Sequence, residues 1–123
     1  MINHYKNLLA THCNTKWIGY LSTTGVYGNT DGAMVAETAK LKPTHQRSYR
    51  RVGAEKEWLD LNAHIFRLPG IYGIGRSAIE RIMNGKNKSV LKRGHQFSRI
   101  HVEDIAQTVI SSIKKPNPGN IYN

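Results

Sequence analysis

The sequence has a single cysteine, few acidic residues and no long apolar run. Cys13 alone cannot form an internal disulfide framework or a cysteine-only metal site, so a reducing, cytoplasmic setting is expected. The apolar runs are too short for a helix that spans a bilayer. The first residues lack the charged-then-apolar layout of a signal peptide. The histidines are scattered without the spacing of metal ligands, and no metal site is predicted.

The scarcity of acidic residues leaves a strongly basic chain. Eight Asp and Glu stand against eighteen Lys and Arg, which gives a net charge of +10. Such a balance suits partners that carry phosphate, including nucleic acids and dinucleotides. The two acid-free stretches, residues 40–51 and 86–99, hold only five Lys or Arg each, which is sparse for a nucleic-acid-binding tail. A solvated basic surface is therefore favoured, with a nucleic-acid-binding module as the weaker alternative.

The apolar pattern predicts alternating strands and helices. Strands are predicted over residues 17–23, 63–68 and 119–123, with shorter extended pieces over 89–91 and 97–102. Helices are predicted over residues 46–61, 77–84 and 102–115, and the first dozen residues show one apolar helix face. A long loop over residues 24–46 separates the first strand from the first of these helices. Strand, helix, strand, helix, strand is the order of an α/β fold with a parallel sheet.

This order predicts an incomplete sheet. Two or three parallel strands cannot cover both faces and both edges of a sheet, and the strand over 17–23 is too apolar to lie at an edge. Residues 1–123 are therefore expected to form part of one larger domain, with no separate second domain. Self-association, or a second chain that supplies the missing strands, is the expected way to complete the sheet.

Five segments, in one order, carry a resemblance to a known family. They are YLSTTGVYG at 20–28, Glu37 and Pro43 ahead of a helix, Ala54 and Glu55 within it, RLPGIYG at 67–73, and RIHVEDIA at 99–106. With the closing GNIYN, they resemble the extended short-chain dehydrogenases/reductases, the NAD(P)-dependent epimerase/dehydratase family, and especially its atypical branch. The resemblance covers residues 14–123. It implies the later part of a doubly wound, Rossmann-like parallel sheet whose N-terminal βαβ half is missing.

The resemblance also points to catalytic positions. The family uses a Ser or Thr, a Tyr as acid/base and a Lys one helical turn later. Thr23 occupies the Ser/Thr position, and counting back from Glu55 places the Tyr and Lys positions on Arg47 and Arg51. Arginine stays protonated, so Arg47 cannot transfer the proton, whereas Arg51 can still donate to a ribose. Tyr49 is the nearest tyrosine, and a register shift of two residues would make it the catalytic one.

The remaining predicted site residues follow from the same resemblance. Cofactor-binding positions are Ser22, Thr23, Arg51, Pro69, Gly70 and Ile71, and substrate-binding positions are Tyr27, Arg76 and Arg99. Members acting on nucleotide sugars often carry an arginine where this chain has Phe97, which argues against that substrate class. Glycines 25, 28 and 32 follow a strand, but no helix is predicted to begin there and receive a pyrophosphate. NAD or NADP is expected in the intact fold, with little or no tight binding by this chain alone.

Beside the weaker alternative of a nucleic-acid-binding module, two functional classes remain open from the sequence. One is a part of an NAD(P)-dependent epimerase/dehydratase or oxidoreductase for an unknown, sugar-like substrate, inactive alone. The other is a non-catalytic scaffold or regulatory subunit, which would purify at a mass well above the 13.9 kDa of one chain.

Overall fold

The computed structural model describes residues 7–9, 11, 14–85, 94 and 96–123. Residues 7–9 and 11 are helical. The strand predicted over 89–91, and most of the predicted N-terminal helix face, lie outside the described residues. Along the described chain the strands are β1 (Gly19–Thr23), β2 (His64–Leu68), β3 (Gly70–Tyr72), β4 (Arg99–His101) and β5 (Ile121–Tyr122). The helices are α1 (Gln46–Leu59), α2 (Ala78–Met83) and α3 (Val102–Lys114), and a 3-10 turn spans Thr24–Tyr27.

The main sheet has three parallel strands in the order β1-β2-β5. Leu21 pairs with Phe66, and Phe66 pairs in turn with Tyr122. The central strand β2 is buried along most of its length, as its run of apolar residues predicts. The parallel α/β fold is thereby confirmed. Strand β1 pairs only with β2 among the described residues and lies at an edge of this sheet.

The two faces of the main sheet contact different helices. Alternate residues of a strand point to opposite faces, so Arg67 of β2 meets α1 while His64 and Phe66 point away from it. On the α1 face, Trp58 stacks on Tyr20 with ring centroids 5.8 Å apart. Helix α3 contacts the opposite face through Ser112 and Trp17. Helices therefore lie on both faces of the sheet, which is the doubly wound arrangement.

An aromatic stack fills that opposite face. Trp17 and His64 stack with ring centroids 5.4 Å apart, and Tyr122 stacks on Phe66 at 5.2 Å. The Trp17 indole N–H donates to Ser112 of α3 at 3.1 Å. Gly19 lies directly beneath the indole, where an added Cβ would come within 2.1 Å of a Trp17 ring carbon. The stack therefore ties α3 to the sheet and leaves no room for a side chain at position 19.

His64 is fixed by hydrogen bonds at both ring nitrogens. Its Nδ1 lies 3.0 Å from the Ile18 carbonyl oxygen, and the Asn117 N–H donates to its Nε2 at 2.9 Å. The ring thus donates at one nitrogen and accepts at the other, which is the pattern of a neutral imidazole. It links the start of β1 to the loop before β5.

Helix α3 forms where its apolar periodicity predicts it, but its apolar stripe is only partly buried. Ile105 is buried, whereas Val102, Ile110 and Ile113 are between 43% and 49% exposed. The buried polar residue Ser112 contacts the sheet instead. Much of the apolar stripe of α3 is therefore exposed along the described part of the chain.

A second, two-stranded parallel ribbon of β3 and β4 follows the main sheet. Ile71 pairs with Ile100, and the Gly70 N–H donates to the Ser98 carbonyl at 3.2 Å. The sequence predicts the extended piece over 97–102 that contains β4, but it predicts no strand directly after residue 68, where β3 lies. Among the described residues, no helix is long and apolar enough to cross a membrane.

Candidate functional site at the carboxyl edge of the sheet

The carboxyl ends of the three parallel strands meet at one edge of the main sheet, where ligands bind in open α/β sheets. A cavity of about 440 Å³ opens at this edge. Its described lining includes Thr24 after β1, Pro69 after β2, Asn123 after β5, and Tyr27. We call it the edge cavity. Its described lining has hydroxyl, amide and apolar groups and no Asp, Glu, Lys, Arg or His.

Hydrogen bonds fix the wall of the edge cavity. The Tyr27 hydroxyl accepts from Arg67 Nη1 at 2.7 Å and donates to Asn123 Oδ1 at 2.7 Å. The Asn123 amide donates to the Val35 carbonyl at 3.1 Å, and its backbone N–H donates to a Glu37 carboxylate oxygen at 3.2 Å. The loop after β1 is thus tied to the end of β5. Tyr27, predicted to bind substrate, lines the cavity with a hydroxyl already engaged.

A buried ion pair lies beneath this wall. Arg67 Nη2 and Glu55 Oε2 are 2.8 Å apart, and the side chains are 4% and 3% exposed. The Ser22 hydroxyl donates to the other Glu55 oxygen. Burial alone lowers the pKa of Arg67, but its hydrogen bonds to Glu55 and Tyr27, together with the Glu55 charge, outweigh burial and raise that pKa. The guanidinium therefore stays charged and holds its partners in place.

The glycines after β1 allow a tightly folded loop and do not form a phosphate-binding turn. The Thr23 hydroxyl accepts from the Gly25 N–H at 3.2 Å and caps the 3-10 turn. Gly28 has a φ of +73°, and an added Cβ there would lie 2.0 Å from the Lys42 carbonyl oxygen. The chain approaches itself so closely that only glycine fits. No long helix begins after these glycines, so they form no pyrophosphate-binding turn.

The positions expected to hold the catalytic pair lie on α1. Arg51 donates to the Tyr20 hydroxyl at 2.8 Å, so its guanidinium is anchored on β1. Arg47 is exposed, and Tyr49 is 61% exposed. Because Tyr49 lies on the exposed side of the helix, the geometry gives no support to the two-residue register shift. The catalytic roles of Thr23 and Tyr49, and the cofactor roles of Ser22 and Arg51, stay predictions.

Ser48 is a residue of this region that the sequence reasoning missed. It is buried, and its hydroxyl would lie 3.4 Å from a Cβ on Gly25 of the 3-10 turn. Its spacing in the sequence could have identified it. The i, i+3, i+7, i+10 pattern of one helix face is followed by Ser48, Arg51, Glu55 and Trp58. This face, rather than that of Tyr49, packs against β1.

A second cavity, of about 660 Å³, lies between the β3–β4 ribbon and α2. We call it the ribbon cavity. The cofactor candidates Gly70 and Ile71 and the substrate candidates Arg76 and Arg99 all line it. The structure thus divides the predicted site between two cavities, with Tyr27 and Pro69 at the edge cavity. Among the described residues, no group of three or more His, Cys, Asp and Glu could hold a metal ion.

Glu80 shapes one end of the ribbon cavity. Its carboxylate accepts from the backbone N–H groups of Ser77 at 2.9 Å and Gly75 at 2.8 Å, while Ser77 caps the helix in return. The hydrogen bonds from Ser77 and Gly75 lower the pKa of Glu80, because they stabilise its charged form. The turn that carries Arg76 is thereby fixed against α2.

Several solved structures share this arrangement. A functionally unknown conserved protein from Silicibacter pomeroyi DSS is 45% identical, with a TM-score of 0.90 over 99% of this chain and 45% of its own. RMD from Pseudomonas aeruginosa, complexed with NADPH, is 16% identical, with a TM-score of 0.77 over 97% of this chain and 48% of its own. UDP-N-acetylglucosamine 4-epimerase from Methanobrevibacter ruminantium M1, in complex with UDP-N-acetylmuramic acid, is 19% identical, with a TM-score of 0.75 over 95% and 44%.

No family model matches the chain, and no curated protein matches it significantly. The chain spans about half the length of the solved structures that it matches. At the low identities of the epimerase-type neighbours, the likeness concerns the fold. The described parallel sheet and its flanking helices therefore have the Rossmann-like α/β fold of NAD(P)-dependent epimerase/dehydratase proteins, over about half the length of those proteins.

Proposed function

We propose that this chain supplies the nicotinamide- and substrate-facing part of an NAD(P)-dependent epimerase/dehydratase or oxidoreductase that acts on a small, sugar-like substrate in the cytoplasm. One observation carries the proposal: three parallel strands end at a cavity of about 440 Å³ lined by Thr24, Tyr27, Pro69 and Asn123. Ligand sites of such sheets lie at this edge. The likeness of the fold to RMD complexed with NADPH supports the choice of cofactor.

The residues present suit the nicotinamide of a dinucleotide better than its pyrophosphate. Pro69 lines the edge cavity just after β2, where a nicotinamide can lie, and Thr23 precedes the 3-10 turn at the end of β1. The described residues contain no glycine-rich turn that leads into a long helix, which is what binds a pyrophosphate. When bound, the cofactor supplies hydride transfer. The polypeptide that binds its pyrophosphate is a further segment or a partner chain.

The arginines at the predicted catalytic positions of α1 are poorly suited to proton transfer. The residue at the position of the family tyrosine is Arg47, whose guanidinium cannot act as a base at ordinary pH. The Arg51 guanidinium is held by Tyr20 rather than being free, although its remaining N–H groups can still donate. Thr23 is left to orient a substrate hydroxyl or carbonyl.

These two arginines favour a second candidate function, a non-catalytic scaffold or regulatory subunit. Such a subunit keeps the fold and the ligand-binding edge but has lost the acid/base pair. It would complete its sheet through the free edge of β1, with a second copy or with a chain that provides further parallel strands.

Calorimetry with NADH and NADPH tests the proposal. The isolated chain is compared with a fusion that carries, at its N-terminus, the part of the 45% identical protein that this chain does not match. We expect micromolar binding, about 8 kcal/mol, in the fusion and much weaker binding in the isolated chain. Micromolar binding by the isolated chain would show that this chain binds the pyrophosphate without an additional glycine-rich turn. A fusion that folds but binds neither dinucleotide would overturn the proposed function.

A further inference from the structure

A basic surface lies at the start of α1, outside the described lining of both cavities. Four exposed cations form it, and all belong to the acid-free stretch over residues 40–51: Lys40, Lys42, Arg47 and Arg50. Beside them Tyr49 is 61% exposed. We call these five side chains the basic face. Its charge is sparse for a flexible tail, but the fold gathers it on one loop and the helix that follows.

Backbone hydrogen bonds hold this loop and the start of α1 in place. The Lys42 N–H donates to the Val26 carbonyl of the 3-10 turn at 3.1 Å. The N–H groups of Ser48 and Tyr49 donate to the His45 carbonyl at 2.8 and 3.1 Å. The cations are therefore presented on a fixed backbone, and a polyanion that binds them does not have to order a tail first.

The protein does not neutralise the basic face. Within the described part of the chain, none of its four cations forms an ion pair. The carboxylates on either side of the acid-free stretch are engaged elsewhere: Glu37 accepts from the Asn123 N–H, and Glu55 pairs with Arg67. The positive charge of the basic face is therefore available to an anionic partner.

The stability of the fold does not explain the position of Arg47 and Arg50. Arg47 lies in the first turn of α1 and Arg50 just after it, in a helix whose first turn has no acidic residue and whose N-cap, His45, makes no capping hydrogen bond through its side chain. A helix dipole is positive at this end, so cations there oppose it. Lys114, in the last turn of α3, lies where the dipole favours a cation. Binding, rather than folding, accounts for the two arginines.

Gly53 leaves the ring of Tyr49 uncovered. It lies four residues later on the same side of α1, and a Cβ added there would have no atom within 4 Å. Side chains of a helix lean toward its N-terminus, so a long side chain at position 53 would lie over the ring. Glycine inside a helix is destabilising relative to alanine. The open space beside Tyr49 is thus kept at a cost to the helix.

We propose that the basic face binds a single-stranded nucleic acid, with its four cations on the phosphates and a base stacked on Tyr49. Proteins that bind single strands combine cations along the backbone with aromatic rings on which bases stack. The net charge of +10 and the pI near 10.0 attract such a polyanion from a distance. A duplex keeps its bases stacked on one another and cannot use the ring, which favours a single strand. This activity is separate from the dinucleotide chemistry proposed above.

Fluorescence anisotropy with a labelled oligouridylate tests the proposal. Its length of about 20 nucleotides exceeds the roughly 4–16 that a single-strand-binding groove covers. Arg47→Gln combined with Arg50→Gln is expected to weaken binding about tenfold or more. Lys114→Gln combined with Lys115→Gln removes the same charge from exposed positions at the end of α3 and is expected to leave the affinity within about twofold. Equal losses would mean that the oligonucleotide senses only net charge, and the proposal would have to be abandoned.

Thermal unfolding of the same variants separates binding from folding. Because Arg47 and Arg50 oppose the dipole of α1, their replacement is expected to raise the midpoint of unfolding. Replacement of Lys114 and Lys115 is expected to lower it. Weaker oligouridylate binding by a more stable protein supports the proposal. A lower midpoint in the arginine variant would show that the two arginines stabilise the fold, and their position would no longer argue for a ligand.

Substitutions at positions 49 and 53 test the stacked base. Tyr49→Leu is expected to weaken binding about fivefold or more, whereas Tyr49→Phe, which keeps the ring, is expected to bind like the wild type. Gly53→Leu is expected to weaken binding severalfold by covering the ring, although leucine favours a helix more than glycine does. Gly53→Ala, too short to cover the ring, is its control. Wild-type affinity in Tyr49→Leu would show that no base stacks there and would refute the proposal.

The salt dependence of binding reports the number of phosphates contacted. Four contacts to a single strand predict a slope of about −2.8 for log K against log salt concentration, and about −1.4 in the double arginine variant. A slope near zero would contradict phosphate contacts. Duplex RNA is expected to bind at least tenfold more weakly, and comparable affinity would refute the single-strand assignment.

Oligodeoxythymidylate distinguishes RNA from DNA as the strand that the basic face binds. Weaker binding than oligouridylate indicates RNA, and equal or tighter binding indicates DNA. None of these titrations contains a dinucleotide, so their outcome does not depend on the proposed function.

Discussion

Glu55 and Arg67, twelve residues apart in sequence, form an ion pair in the interior of the fold, with Oε2 and Nη2 2.8 Å apart. The pair joins α1 to the centre of the main sheet. It also supports the edge cavity, because the same Arg67 guanidinium donates to the Tyr27 hydroxyl and to the Glu37 carbonyl.

Glu55→Gln is expected to lower the free energy of unfolding by about 3–5 kcal/mol, because it leaves the Arg67 charge buried without its partner. Glu57→Gln, at an exposed position of the same helix, is the control and is expected to change it by less than about 0.5 kcal/mol. Urea denaturation followed by circular dichroism measures both. Similar midpoints for Glu55→Gln and the control would show that the pair does not stabilise the fold.

Glu80 gives the N-terminus of α2 a dependence on pH. The pKa of Glu80 in the folded protein is lower than its ordinary value of 4.5, so its cap stabilises the helix above pH 4.5. That contribution is lost as the pH falls through the lowered folded value. The Gly75 and Ser77 amide shifts should therefore titrate with a midpoint below 4.5 and should lose this titration in Glu80→Gln. A midpoint at or above 4.5 would contradict the hydrogen bonds described.

Strand β1 should make the isolated chain associate. Its outer edge pairs with no strand in the described part of the chain, and Leu21 is 50% exposed. Sedimentation is expected to give a mass above 13.9 kDa, and Leu21→Lys is expected to reduce it. Ile74→Lys, at a fully exposed position outside the strands, controls for added charge. A monodisperse wild-type monomer would show that the edge does not mediate association.

Thr23 and Tyr49 can be distinguished kinetically in the fused form. With NADPH and a panel of small carbonyl compounds, Thr23→Val should reduce turnover at least tenfold, whereas Tyr49→Phe should leave it unchanged. Arg47→Tyr combined with Arg51→Lys should raise turnover, by about 100-fold or more if proton transfer limits it. A large loss in Tyr49→Phe, with Thr23→Val neutral, would show that the helix register is two residues off.

The sequence predicts what depends on local periodicity and misses what depends on partners distant in the chain. Helix α3 and strand β2 lie where their apolar patterns place them. Strand β4 falls within the extended piece predicted over 97–102, whereas β3 and its pairing with β4 escape prediction, because each strand has three residues and the pairing joins positions 29 residues apart. Strands this short have too few residues for an alternation to be recognised.

In the candidate site, too, the sequence predicts the local motifs and misses the contacts between residues that are distant in the chain. The motif around Thr23 and the turn at Pro69 indicate the carboxyl edge, and both lie there in the fold. The hydrogen bond of Arg51 to Tyr20 and the grouping of Arg76 with Arg99 in the ribbon cavity depend on how α1 and α2 lie against their strands. Such side-chain directions follow from packing, which a single sequence does not contain.

The close contact between Trp17 and Gly19 makes these two positions interdependent. Any side chain at position 19 would push the indole away from His64 and Ser112. A related protein with a larger residue at position 19 must therefore carry a smaller one at position 17. Among homologues, the two positions are expected to vary together, and such paired variation would trace the aromatic stack through relatives too distant for the rest of the sequence to be aligned.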